Sequence, residues 1–191
     1  MRIVVGMSGS TGAIYGIRLL QVMAELKDVE THLVISNPAK ETIALETEYT
    51  IKQVEALASK VYSINNIAAA IASGSFKTDG MAVIPCSIKT LSGIASSFND
   101  NLLVRAADVT LKERRRLVLV VRETPLHVGH LRLMVQATEM GAIIAPPMPA
   151  FYHKPKTIDD MVNQTVGRVL DLLGVEHPDL FKRWNGPEAR H

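Results

Sequence analysis

Short apolar runs alternate with helical patterns along this chain. Arg2-Ile3-Val4-Val5-Gly6-Met7 is apolar at nearly every position and reads as a buried strand. Ser8-Gly9-Ser10-Thr11-Gly12 follows as a small-residue loop, and a helix opens at Ala13. The same pattern predicts strands over 30–35, 80–85, 117–121 and 142–145. Helices are predicted from about residue 39, over 51–58, briefly over 67–73, from Ser87 onward, and over 102–112. Two more are predicted over 131–140, capped by Gly141, and over 158–173, ended by Gly174.

Strands that are apolar on both faces and separated by helices belong in a parallel sheet covered on both sides. The expected fold is therefore α/β: a three-layer, doubly wound parallel sheet of Rossmann or flavodoxin-like type. Ligands of such sheets bind beyond the carboxyl ends of the strands. The segments that matter are then 8–12, Ser36, 86–90, Arg122 with Glu123, and 146–152.

Length and composition change this picture little. The 191 residues and the 47% hydrophobic content suit one packed domain. A net charge of +2 points to no polyanionic partner, and Lys112-Glu113-Arg114-Arg115-Arg116 reads as a solvated helix end. One cysteine, Cys86, excludes an internal disulfide and suits a reducing compartment. No targeting leader and no run of membrane-spanning length stand out, so a cytoplasmic protein without nucleic-acid or membrane partners is expected.

The first loop presents backbone N–H groups at a helix start, a ready anion site. Its glycines, Gly6, Gly9 and Gly12, match neither the dinucleotide fingerprint nor a Walker A loop. The nucleophile-elbow pattern breaks at Ser10. A second hydroxyl-rich helix start lies at Ser87-Ile88-Lys89-Thr90, where Ser87 also suits an N-cap. Together the two loops could hold a mononucleotide. Cys86 between them reads as a small buried hydrophobe rather than a nucleophile. Arg122 and Glu123 follow five apolar residues and so sit at the sheet rim, either as an anion site or as a rim ion pair. His127 and His130 lack an evident third metal ligand.

On these residues the chain resembles the flavin prenyltransferase family, the UbiX/Pad1-like flavoproteins, and more closely the members encoded with hydroxyarylic acid decarboxylases. The matching segments run in order over nearly the whole length. They are Gly6-Met7-Ser8-Gly9-Ser10-Thr11-Gly12-Ala13, Gly74-Ser75-Phe76-Lys77-Thr78-Asp79-Gly80-Met81, Pro85-Cys86-Ser87-Ile88-Lys89-Thr90-Leu91 and Arg105-Ala106-Ala107-Asp108-Val109. Beyond them come Leu111-Lys112-Glu113-Arg114, Arg122-Glu123-Thr124-Pro125-Leu126, Pro146-Pro147-Met148-Pro149-Ala150-Phe151-Tyr152 and Arg183-Trp184. Three departures stand out: Thr11 where several members carry Ser, Lys89 where some carry Gly, and an altered segment over 127–133.

The resemblance implies transfer of a dimethylallyl group from dimethylallyl phosphate to N5 and C6 of reduced FMN, without a metal. The product, prenylated FMN, would serve a UbiD-type aromatic acid decarboxylase. It further implies a homo-oligomer, a dodecamer, and a single domain over 1–191 whose tail, 175–191, packs near the active site or a neighbouring subunit. By the same resemblance Gly9, Ser10, Thr11, Ser36, Ser87, Ile88, Lys89, Thr90 and Arg122 would contact FMN. Tyr152, Arg168, Lys112 and Arg105 would hold the donor phosphate. Glu46, Glu123, Lys112, Thr11 and Trp184 would be the catalytic set. Cations stabilise a departing phosphate, a carboxylate can take a proton, and an aromatic face attracts an allyl cation. Two other readings stay open: a flavin-dependent decarboxylase of the cysteine-peptide type, and a non-catalytic subunit that carries flavin to a decarboxylase.

Overall fold

A computed structural model describes residues 1–186 of the chain. Six parallel strands form one sheet: β1 (Arg2–Met7), β2 (Glu30–Ile35), β3 (Lys60–Tyr62), β4 (Gly80–Cys86), β5 (Arg116–Val121) and β6 (Ile143–Ile144). Their spatial order is β3-β2-β1-β4-β5-β6. Val5 pairs with Leu33 on one side and Ala82 on the other, so β1 lies at the centre. The register between β4 and β5 shifts between Val83 and Cys86, where the Ile84–Pro85 bond is cis.

Helices cover both faces. Helices α1 (Ala13–Ala24) and α7 (Ile158–Leu173) pack on one side, where Ile17, Leu20, Met23, Val166 and Leu170 meet Ile3, Val5 and Met7 of β1. Helices α4 (Ile88–Ala95), α5 (Leu102–Lys112) and α6 (Val128–Glu139) lie on the other. There Leu91, Ile94, Leu103 and Ala107 pack with Val4, Met81 and Val83. Burying one such Leu or Ile stabilises by about 1.5–3 kcal/mol. The alternation of Ile3, Val4 and Val5 between the two cores is the period of a strand covered on both faces.

The expected three-layer fold is present, with local corrections. The edge strand β3 escapes the hydrophobic pattern: it is three residues long and only Tyr62 is buried. Helix α2 (Asn37–Glu46) starts two residues early, with Ser36 as N-cap and Pro38 in its first turn. The 51–58 helix is only α3 (Ile51–Glu55), and 67–73 holds just a 3₁₀ turn, Ala70–Ala72. Helix α6 begins at Val128 rather than Leu131, because the His127 ring accepts the Gly129 N–H and caps it. The basic run is not all solvated. Arg115 donates to the carbonyls of Gly74 and Phe76 and to the Thr78 hydroxyl, clamping the segment that leads into β4.

After Gly174, residues 175–186 turn back against α7, and Phe181 is buried there. The rest of the expected tail, 187–191, lies outside the described residues.

Candidate active site

Strand order reverses between β1 and β4, and the loops that leave them diverge to opposite faces, opening a crevice at their carboxyl ends. Ser8, 1% exposed, laces the two loops together. Its N–H donates to the Pro85 carbonyl at 3.1 Å, and its Oγ accepts the Ser87 N–H at 2.8 Å. The Ser10 hydroxyl donates to the Arg122 carbonyl at 2.7 Å, which ties in the end of β5. Three strand ends are thus joined by side chains that a glycine- and serine-rich loop supplies.

Beside this lacing is a cavity of about 540 Å³ whose walls include Gly9, Ser36, Ser87, Ile88, Lys89 and Thr90. Pro38, Asn101 and Glu123 are also among its walls. Gly9 is required by close approach: a Cβ there would lie 2.3 Å from Cβ of Pro38. Ser36 and Ser87 are N-caps of α2 and α4, accepting from the N–H groups of Ala39 and Thr90. The Ser87 hydroxyl then donates to Thr90 Oγ1 at 3.2 Å. Hydroxyls, a helix start and a half-apolar wall suit a planar heterocycle carrying a phosphate, and FMN fits that description.

The α1 amino terminus holds an internal anion. Gly12, at φ 97°, precedes the helix, and Oε2 of Glu46 accepts the N–H groups of Gly12 at 2.8 Å and Ala13 at 3.1 Å. Partial burial opposes ionisation of Glu46. The Thr11 hydroxyl, the two N–H groups and the Arg122 charge outweigh it and hold the carboxyl below its usual range. Two of the N–H groups that the sequence offers to a phosphate are therefore taken by a carboxylate delivered from the end of α2. Glu123 accepts the Thr124 N–H at 3.0 Å, ahead of the cis Thr124–Pro125 bond.

A second pocket, about 610 Å³, is formed by Tyr152, Arg168, Phe181, Arg183, Trp184 and Asn185 on the flank of α7. The Tyr152 and Trp184 rings meet edge to face with centroids 6.1 Å apart. The structure thus brings Tyr152, Arg168 and Trp184 together, on a pocket separate from the crevice.

Arg105 and Lys112 join neither pocket within one chain. Arg105 donates to the Ala72 carbonyl and pairs with Asp108 at 2.8 Å. Lys112 ends α5, pairs with Glu113 beside Gly74, and lies four residues before β5 starts, at the opposite end of the sheet from the crevice.

Sequence reasoning missed Ser8 as the lacing residue and Pro38 and Asn101 as walls. The first was findable as a hydroxyl at a strand end. The others depend on how α2 and α5 pack. Cys86 is fully buried among apolar side chains, and burial pushes its thiol pKa up. Among the described residues no group of His, Cys, Asp or Glu has metal-binding geometry, and no helix is long and apolar enough to cross a membrane.

The model of the Flavoprotein family matches residues 1–170. The chain is 61% identical over 186 residues to Flavin prenyltransferase UbiX of Escherichia coli (strain K12), covering 97% of this chain and 98% of the relative. Among solved structures it resembles AnUbiX (PadA1) in complex with FMN and dimethylallyl pyrophosphate, with a TM-score of 0.95 and 55% identity over 98% of each chain. A dodecameric FMN-dependent UbiX-like decarboxylase from Escherichia coli O157:H7 also has a TM-score of 0.95, at 54% identity, covering 97% of this chain and 100% of that one. The chain therefore belongs to the Flavoprotein family and, within it, to the UbiX-type flavin prenyltransferases.

Proposed function

We propose that this chain joins the dimethylallyl group of dimethylallyl phosphate to N5 and C6 of reduced FMN, and that the prenylated FMN serves a UbiD-type aromatic acid decarboxylase. It is a flavin prenyltransferase, a transferase whose acceptor is FMN. The observation that carries this reading is its likeness, at 55% identity over 98% of the chain, to a protein solved with FMN and dimethylallyl pyrophosphate.

Reduced FMN supplies the nucleophilic nitrogen and ring carbon when bound. Gly9, Ser10, Thr11, Ser36, Arg122 and the 87–90 turn would cradle it; the backbone and hydroxyl groups that Gly9, Ser36 and the 87–90 turn bring to the cavity wall, and the Ser10 bond to the Arg122 carbonyl, support this reading. Arg168 and Tyr152 would hold the donor phosphate and stabilise it as the carbon–oxygen bond breaks. Trp184 would offer its ring face to the positive charge left on the dimethylallyl carbons. Glu46, ionised under its hydrogen bonds, would accept a proton, with Glu123, at the cavity wall, as the second carboxylate. A carboxylate below its usual range is a weak base. The departing phosphate, whose monoester second pKa is about 6, is the better final proton acceptor.

The parts lie in three places on one chain: the crevice, the α7 pocket, and the Arg105–Lys112 flank of α5. Several copies would unite them, and the dodecameric relative supports a homo-oligomer here, with Arg105 and Lys112 reaching the donor phosphate of another copy. The cytoplasm, where reduced flavin and free thiols persist, is the compartment this chemistry suits.

The test is the mass of the flavin released after anaerobic incubation with reduced FMN and dimethylallyl phosphate. A gain of one dimethylallyl unit is expected. Unmodified FMN with this donor and with the diphosphate would overturn the reading and favour the flavin-carrying role. The cysteine-type decarboxylase reading requires a histidine base at the flavin, and among the described residues no histidine lines the crevice cavity.

A further inference from the structure

Helix α7 carries Gln164, Gly167, Arg168 and Asp171 at the spacing that places them on one helical face. That face receives the returning tail. A Cβ on Gly167 would lie 2.6 Å from the Phe181 ring, so the missing side chain is what admits the aromatic. Phe181 in turn meets the His153 ring edge to face, next to Tyr152. Loop, helix and tail are thus packed as one unit around the α7 pocket.

One carboxylate ties the charged side of that unit. Asp171 takes two hydrogen bonds from Arg183: Nη1 to Oδ2 at 2.8 Å and Nη2 to Oδ1 at 2.9 Å. Arg168 Nη1 reaches the same Oδ2 at 2.8 Å, and His177 Nε2 lies 3.1 Å from Oδ1. A bidentate guanidinium–carboxylate pair fixes angle as well as distance. Arg183 precedes Trp184, so this pair sets where the indole sits. The Arg168 bond uses one N–H of a five-donor fork, and the fork borders the pocket.

We propose that Asp171 is a positioning residue of the donor pocket, holding the Arg168 guanidinium and, through Arg183, the Trp184 indole at set places around the phosphate and dimethylallyl ends of the donor. This rests on the reading that Arg168 and Trp184 face that donor. The residue touches no reacting atom. It acts by keeping a flexible arginine and the returning tail from having to be ordered at each binding event, a cost that would otherwise weaken donor affinity. Arg183 first, and then His177 and Arg168, hold its carboxyl at about 2, so the anchor stays charged at working pH.

The experiment compares the full-length wild type with Asp171→Asn, Asp171→Glu and Arg183→Gln. Steady-state prenyl transfer is measured at saturating reduced FMN, together with fluorescence anisotropy of Trp184, the chain's only tryptophan. Loss of charged hydrogen bonds predicts a donor KM raised about tenfold or more in Asp171→Asn, with FMN affinity unchanged and Trp184 anisotropy lowered. Asp171→Glu should recover most of both signals. Arg183→Gln should free Trp184 while raising KM less, because Arg168 keeps its partner. Wild-type KM and anisotropy in Asp171→Asn would overturn the proposal. So would an equal loss of FMN affinity and thermal stability, which marks a merely structural residue. If the wild type itself makes no prenylated flavin, the functional reading fails instead, and unchanged anisotropy in Asp171→Asn would separately refute the anchor.

Discussion

Oε2 of Glu46 lies 2.8 Å from the backbone nitrogen of Gly12, so the last residue of α2 caps the first turn of α1, 34 positions away in sequence. Position and charge at this residue can be separated. Glu46→Gln keeps the size and loses the charge, and prenyl transfer should fall about 100-fold, in the range of a lost acid–base group. Glu46→Ala also removes the cap and should cost about 1 kcal/mol in thermal denaturation. The depressed carboxyl makes its contribution to stability fully present above the unfolded value of about 4.3. That contribution is lost as pH falls through the lower folded value, and the melting temperature of Glu46→Ala should respond less to acid than that of the wild type.

Gly9 tests the crevice. Alanine there would place Cβ 2.3 Å from Cβ of Pro38, and neither backbone can yield without moving the β1–α1 loop or the start of α2. Gly9→Ala should destabilise by about 1–3 kcal/mol and weaken FMN binding more than donor binding. Flavin fluorescence quenching titrated alongside melting curves would separate the two effects. Unchanged FMN affinity would remove Gly9 from the flavin site.

His32 is 1% exposed, with Nδ1 2.8 Å from the Tyr62 hydroxyl and Nε2 3.0 Å from Glu30. Burial lowers its pKa, although Glu30 pulls it the other way. The unfolded chain then takes up a proton at about pH 6.5 that the folded chain does not. Stability should decline as pH falls from about 6.5 through the depressed folded value, by no more than about 1.4 kcal/mol per pH unit. His32→Gln should flatten that slope in melting curves between about pH 5 and 8.

Cys86 should be silent. Its side chain is fully buried and its thiol is pushed up by that burial, so little thiolate forms. A coloured thiol reagent should leave the native protein unmodified and titrate one thiol per chain in denaturant. Rapid labelling of the native protein would place Cys86 at an accessible crevice wall.

Much of this protein was legible in the order of its residues. Apolar runs on both faces of each strand forced a covered parallel sheet, and that in turn directed attention to the strand ends where Gly9, Ser36, Ser87 and Thr90 now line one cavity. Hydrophobic periodicity carries this information because burial is imposed residue by residue, and a strand or helix records it locally. The same signal fails where an element buries little. It missed β3, whose single buried residue is Tyr62, and it overread 67–73, which holds one turn.

Which polar atoms meet was decided only in three dimensions. Periodicity contains nothing that brings Glu46 to Gly12, Ser10 to Arg122, or Arg183 to Asp171. Each pairing depends on strand order, helix direction and the path of a returning tail. Nor does the line of residues reveal that Lys112 stands away from the crevice. That follows from α5 running down the sheet to the start of β5, so that its last turn ends far from the strand carboxyl ends where the flavin loops gather. Side-chain type and spacing determined the fold class and the loops that matter. Long-range packing, which fixes distances between residues far apart in sequence, decided what those loops and helices do to one another.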